Sequence, residues 1–282
     1  MSNVSCRDSR GPWRSGKTVL LLMVLWAFGP VASVRAEEIK LGGTGTALAT
    51  MQLLADAYAK AHPETRITVL RSLGSNGGIK AVLSGTIQMA VTARALTEAE
   101  IRQGAEQFEY GRTPFVFATA TANKVSGLST RELVDIYAGK TEQWPDGKKI
   151  RLVLRPVGDT DSEMVKNISA EMRDAKTAAE QRKGMPFAVS DQDAADSLEK
   201  IPGSLGISTM AQILSEKRAL KALRFNGVEP NAKNIANGSY ALYKPLYLVT
   251  SPQSPPAAKR FIAFVRSPPG RDVLLRTGHE VR

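Results

Sequence analysis

Residues 37–72 read EEIKLGGTGTALATMQLLADAYAKAHPETRITVLRS. A short strand-like start runs into a glycine-rich turn. Beyond it, Leu48, Met51, Leu54 or Ala55, and Tyr58 recur at helical spacing. Pro63 stops that helix, because proline lacks the N–H a continuing helix needs. Ile67 and Val69 then alternate as a second strand. Strand, turn, helix, strand is the repeating unit of an α/β fold, and it predicts a mostly parallel sheet.

The rest of the chain keeps that rhythm. A second glycine-rich turn, GSNGG (74–78), leads into a helix with Ile79, Val82 and Leu83 inward. TIQMAVTA follows as a strand with Ile87, Met89 and Val91 on one face. TEAE (97–100) and STRE (129–132) are capping boxes, in which a hydroxyl and a glutamate satisfy each other's backbone donors. Thr209 to Gln212 is a third. KIRLVLRPV, SLGIS and YKPLYLVTS read as strands. DSEMVKNISAEMRDA reads as one helix with Met164, Val165, Ile168 and Met172 inward, and DQDAADSLEK as another. PPAAKRFIAFVRSP closes the chain as an amphipathic helix. No repeat at a solenoid period is present.

The first 36 residues stand apart. Arg7, Arg10, Arg14 and Lys17 precede the apolar run TVLLLMVLWAFG, and Val34 and Ala36 sit at small-residue positions before a cleavage point. This pattern predicts a signal peptide over residues 1–36, cleaved after Ala36, and no membrane insertion of the mature chain. The single cysteine, Cys6, falls in that segment, so the mature chain is expected to have no disulfide and no thiolate metal site. Export without disulfides suits a bacterial periplasm. The net charge of +11 favours anionic partners. The basic residues are scattered and lack an aromatic platform, so nucleic acid is not expected.

Little in the chain looks catalytic. His62 and His279 have no neighbouring ligand partner, and surface positions are expected for both. No metal and no cofactor is predicted, and neither a GxSxG elbow nor a P-loop is present. The Asp-Thr-Asp of RPVGDTDS (155–162) admits an aspartyl phosphotransferase, but the Gly-Thr usual after the second aspartate is Ser162-Glu163 here. The two glycine-rich turns suggest binding instead. Each follows a strand and opens a helix, whose first N–H groups and partial positive charge attract anions. Thr46 and Ser75 add hydroxyl donors. With a third helix opening at RPVGDTDS, three helix starts aimed at one cleft would form an anion trap. Plain βα turns remain the alternative for either turn alone.

GTGTAL, LGSNGGIKAVLSGTIQMAVTARALTEAE, LSTRELVDIYAGKTEQW, RPVGDTDS, KIPGSLGIS and NGSYALYKPLYLVT, taken in order, resemble the phosphate-binding branch of the type II periplasmic solute-binding proteins. The resemblance covers essentially the whole mature chain. It implies two α/β lobes joined by two crossing hinge strands, near Phe115–Ala120 and Leu242–Val249. The first lobe would comprise residues 37–117 and 243–282, and the second residues 118–242. It also implies a non-enzymatic protein that hands phosphate or a related oxyanion to an inner-membrane ABC permease. The family's ligand positions fall on Thr46 and the Ala47 backbone, on Ser75 with Asn76 and Gly77, and on Arg155. Two positions depart. The aspartate that accepts the phosphate proton in other members is Ala93 here, followed by Arg94. The Ser-Gly-Thr after the second-lobe arginine is Asp159, Thr160 and Asp161, with Ser162 next. Arg94 is expected to add a second positive charge. One of Asp159 and Asp161 is expected to cap the helix and the other to face the cleft. A different solute in the same fold, or a sensor that no longer transports, are the alternatives.

Overall fold

The computed structural model describes residues 37–281. The expected signal segment, with Cys6 and the expected cleavage point, lies outside the described residues. Among those described, no helix is long and apolar enough to cross a membrane.

The opening stretch folds as β1 (Glu37–Gly43), α1 (Gly45–Ala59) and β2 (Thr65–Val69), followed by α2 (Gly74–Leu83), β3 (Met89–Thr92) and α3 (Glu98–Arg102). The long strand β4 (Glu106–Ala120) leaves this half. Beyond it come β5 (Gly127–Leu128), α4 (Thr130–Ala138), β6 (Arg151–Leu152), α5 (Thr160–Lys166), α6 (Ala170–Gln181) and α7 (Asp191–Lys200). Then follow β7 (Ser204–Thr209), α8 (Met210–Ser215), β8 (Leu220–Ala222), β9 (Arg224–Phe225) and α9 (Ala232–Ala236). The chain returns along β10 (Tyr243–Thr250) and ends with α10 (Pro256–Arg266), α11 (Pro268–Arg276) and β11 (Glu280–Val281).

The main sheet has the order β2-β1-β3-β10-β4-β7-β6, with β8 and β11 also on β4, and β5 pairs separately with β9. It is mixed, not mostly parallel. The βαβ units give parallel pairs, β1 with β2 and β3, and β6 with β7. The two long strands run against their neighbours: β10 is antiparallel to β3 and β4, and β4 to β7. A chain that crosses by one strand and returns by the next must run antiparallel there. β4 changes partner midway. Pro114 faces Tyr243 of β10, whereas Phe115 faces Thr209 of β7.

Each half of the sheet is covered on both faces. Met51, Leu54 and Tyr58 of α1 pack on Leu41, Met89 and Leu248, with Phe261 of α10 returning to the same cluster. Ile79 and Val82 of α2 cover the other face. In the second half, alternate β4 residues point to opposite sides, as the pleat requires. Phe115 and Phe117 join Leu133, Tyr137 and Met172, while Val116 and Ala118 join Ala195 and Leu198. All four residues of β3 are buried, so that strand does not alternate.

Two further expectations change. The single helix after RPVGDTDS is two, because the Ser169 hydroxyl takes the Met172 N–H at 3.1 Å and starts α6 afresh. His279 is fully buried. Its Nδ1 lies 3.1 Å from the Leu274 carbonyl and 3.1 Å from the Thr277 hydroxyl, and its ring rests 5.8 Å from that of Tyr110. Burial pushes its pKa down to about 4.

Candidate functional site

A cleft of about 260 Å³ lies where the starts of α2, α5 and α7 meet β10. The α2 side is formed by Ser72, Leu73, Gly74 and Ser75, with Thr44 and Ala93 behind them. Ser75 Oγ accepts the Ala93 N–H at 3.0 Å, so its own O–H is left to donate into the cleft. Leu73 N–H bonds the Gly43 carbonyl at 3.0 Å and ties the two glycine-rich turns together.

The opposite wall carries charge. Arg155 is buried at the end of the strand run. Its Nη1 donates to the Ala188 carbonyl at 2.7 Å. Its Nε and Nη2 reach Asp159 Oδ1 and Oδ2 at 3.4 Å and 3.0 Å. Asp159 is the N-cap of α5 as well, with Oδ1 accepting the Asp161 N–H at 3.0 Å. Asp161 is buried, sits 4.0 Å from Arg155 Nε, and pairs directly with the ammonium of Lys244. Burial works against the Arg155 charge, but Asp191, Asp159 and Asp161 outweigh it and hold its pKa above the ordinary value. Lys244 follows the same balance: burial opposes it, and Asp161 and Asp191 raise it. The cleft therefore holds two persistent cations beside three carboxylates.

The structure separates the sequence-predicted residues into two groups. Ser75, Arg155, Asp159, Thr160 and Asp161 line the cleft. Asp159 is both cap and wall, and Asp161 faces inward to Lys244. Thr46, Ala47, Asn76, Gly77, Arg94 and Ser162 do not line it. Thr46 Oγ1 is 2.6 Å from Thr209 Oγ1, and the Ala47 N–H bonds the Thr44 carbonyl at 3.2 Å. Gln192 Nε2 closes over the same turn, donating to the Gly45 carbonyl at 3.0 Å. Ser162 Oγ donates to the Arg155 carbonyl at 2.9 Å and accepts from the buried Lys176 ammonium at 3.2 Å. Lys176 is held in turn by Glu180 at 2.8 Å. Gly77, on the first turn of α2, packs beside Leu73.

Arg94 is the clearest departure. It forms a two-pronged pair with Glu100, at 2.7 Å and 3.0 Å, and its Nε donates to Asn76 Oδ1 at 2.8 Å. A planar guanidinium and a carboxylate match edge to edge. The capping box at Thr97 holds Glu100 in place, since its Oε2 also takes the Thr97 N–H at 2.7 Å. Arg94 pulls the Glu100 pKa down to about 2. Arg94 is thus turned to α3, and the second cation of the cleft is Lys244.

Lys244 is the residue that sequence reasoning missed, and Asp191 one that it did not single out. Lys244 stands in an otherwise apolar strand beside the sheet's central crossing, where a lysine needs a carboxylate partner to be buried. That placement was its signal. Asp191 belongs to SDQD (190–193), a stretch that the sequence offers as a second-lobe ligand contact without singling it out, and the structure places Ser190 and Asp191 on the cleft. Among the described residues no cluster suited to a metal ion is found. A larger hollow of about 400 Å³ beside α4 includes Arg151 and Arg182. Both donate to backbone carbonyls, of Pro202 and Tyr137, and keep their charge beside Lys149 and Glu142, but no helix start lines this hollow.

Known proteins resemble this chain across most of its length. It is 22% identical over 274 residues to the phosphate-binding protein PstS of Borreliella burgdorferi, covering 93% of this chain and 98% of that one. It is 26% identical over 253 residues to the phosphate-binding protein PstS of Bacillus subtilis, covering 83% and 79%. The fold is similar to that of a putative phosphate ABC transporter substrate-binding protein with bound phosphate from Clostridium perfringens. That comparison gives a TM-score of 0.73 at 21% identity, covering 87% of this chain and 100% of that one. The family model described as a PBP superfamily domain matches residues 30–269. The chain belongs to the PBP superfamily, and its architecture is the two-lobed α/β fold of periplasmic binding proteins.

Proposed function

We propose that this chain is a non-enzymatic solute-binding protein that captures phosphate or a similar small oxyanion in the cleft for an ABC importer. The observation that carries the reading is the pair of buried cations, Arg155 and Lys244, facing an open helix start at α2. A buried guanidinium with N–H groups to spare is suited to a tetrahedral oxyanion. Ser75, Thr160 and Thr44 supply hydroxyls, and the first N–H groups of α2 complete the cradle. The relatives named as phosphate-binding proteins support the same ligand class.

In this reading β4 and β10 are the hinge strands, with lobes at residues 37–117 plus 243–282 and at 118–242. Residues 1–36 direct export to the periplasm, where an inner-membrane permease receives the ligand. The three carboxylates favour one alternative, an amine-bearing solute in the same cleft. Calorimetry on refolded, ligand-free protein separates the two. Saturable heat with phosphate, arsenate, sulfate or molybdate supports the oxyanion reading. No heat with any of them, together with an amine found by mass spectrometry in the purified protein, overturns it.

A further inference from the structure

Lys176 is a buried charge that does not line the cleft. It lies on the inner face of α6, where its buried companions Met172, Ala175 and Ala179 are apolar. Its carboxylate partner, Glu180 at 2.8 Å, is shared with Lys166 at 3.0 Å, and Lys166 also has the half-exposed Glu163 at 3.5 Å. Burial pulls the Lys176 pKa down, and Glu180 works against that. Two buried ammonium groups on one buried carboxylate are a poor arrangement for stability, because desolvation offsets most of the attraction. A methionine at 176 would fill much of the same space without that cost.

An apolar side chain could not donate a hydrogen bond. A charged lysine only donates, so at 3.2 Å from Ser162 Oγ the Lys176 ammonium fixes that oxygen as the acceptor. The single hydroxyl proton of Ser162 is then free for the Arg155 carbonyl, at 2.9 Å. Lys176, Ser162 and Arg155 are all buried, and in such a chain each bond strengthens the next. Arg155 is therefore held at both ends. Its guanidinium is anchored by Asp159, the cap of α5, and its main chain by Ser162, in the first turn of the same helix.

We infer that Lys176 is a positioning residue for ligand capture: acting through Ser162, it holds the Arg155 main chain against α5 and so sets the guanidinium that meets the anion. This rests on the reading of the cleft as an oxyanion site. It gives the buried ammonium a task that stability does not supply. It also accounts for Ser162, which follows the cleft residues Thr160 and Asp161 yet does not line the cleft itself. Its hydroxyl is turned away from the ligand and towards the relay.

The test is a double-mutant cycle on Lys176→Met and Ser162→Ala, read by calorimetry of the ligand-free proteins with inorganic phosphate and by urea unfolding of each. Each single variant should bind phosphate about tenfold more weakly, the worth of one hydrogen bond involving a charged group. The double variant should bind no more weakly than either, because both changes cut one chain. Losses that multiply to about a hundredfold in the double variant overturn the inference. So does a Lys176→Met protein that loses stability and keeps wild-type affinity. A second readout needs no ligand. The Arg155 Nε–H resonance, identified by its absence in Arg155→Ala, should shift in both single variants. That of Arg94, paired with Glu100 beside α3, should stay. Both resonances unmoved, or both moved together, contradict a role at Arg155. Should Lys176→Met fail to fold, Ser162→Ala decides, since it leaves the Lys176–Glu180 pair in place. Wild-type affinity and an unmoved Arg155 resonance in that variant contradict the relay. If the wild type binds no phosphate, the proposed function itself fails, a separate outcome, and the resonances still test the positioning of Arg155.

Discussion

The two glycine-rich turns look alike in sequence and end up in opposite states. GSNGG leaves α2 open to the cleft, with Gly74 and Ser75 on its wall. GGTGT starts an equally regular helix, yet Thr209, Gln192 and Asp191 cover its first residues. Both have the free N–H groups and the partial positive charge of a helix start. What separates them is the partner: solvent faces one, and α7 faces the other. A helix N-terminus is therefore only a latent anion site, and tertiary packing decides whether it is used.

The largest effect should come from the backbone at the closed turn. Gly43 has φ +146°, and a Cβ there would lie 1.9 Å from the Val91 carbonyl oxygen. Gly43→Ala should cost about 4 kcal/mol or more, as a backbone clash with no relief does. At the open turn Gly74 has φ +66° with nothing within 4 Å of a Cβ, so Gly74→Ala should cost only the left-handed strain, about 1 kcal/mol. Urea unfolding of the two variants measures both, and equal losses would mean that the turns are equally packed.

Next in size is a pH effect in the same half of the molecule. His279 stays neutral when folded, with its pKa near 4 instead of the ordinary value of 6.5. Between those values the unfolded chain binds the extra proton, so stability falls as pH drops from about 6.5 towards about 4, by about 3 kcal/mol in all. His279→Gln should flatten that slope in urea melts taken across the range. A slope that persists would place its origin elsewhere, and binding measured at low pH must be compared against it.

The smallest effects divide the two turns by function. Thr46→Val removes the bond to Thr209 and should cost about 1 kcal/mol of stability without changing oxyanion affinity. Ser75→Ala should lower affinity about tenfold, the worth of one hydrogen bond to a charged ligand. The reverse pattern would show that the first turn, not the second, receives the ligand.

The contrast also explains what was legible beforehand. The βαβ rhythm, the capping boxes at Thr97 and Ser129, and Arg155 on the cleft wall follow from local spacing and from a resemblance spread over the chain. The mixed sheet was not legible, because strand direction at β4 and β10 depends on where the chain goes after leaving each half. The sequence points Arg94 at the cleft because TEAE accounts for Glu100 as a cap alone, whereas one side chain does both. The sequence places His279 at the surface, since a polar side chain in that position gives no hint of the Leu274 carbonyl and Tyr110 ring that enclose it. Lys244 and Asp191 act across elements far apart in sequence, and only folding brings them together.

The most direct measurement is a calorimetric titration of ligand-free wild type and Arg155→Ala with inorganic phosphate, side by side. Saturable binding at one site is expected in the wild type and a loss of about a hundredfold or more in the variant, as when a buried charged partner is truncated. Absence of saturable binding in the wild type, or affinity unchanged in Arg155→Ala, would contradict it.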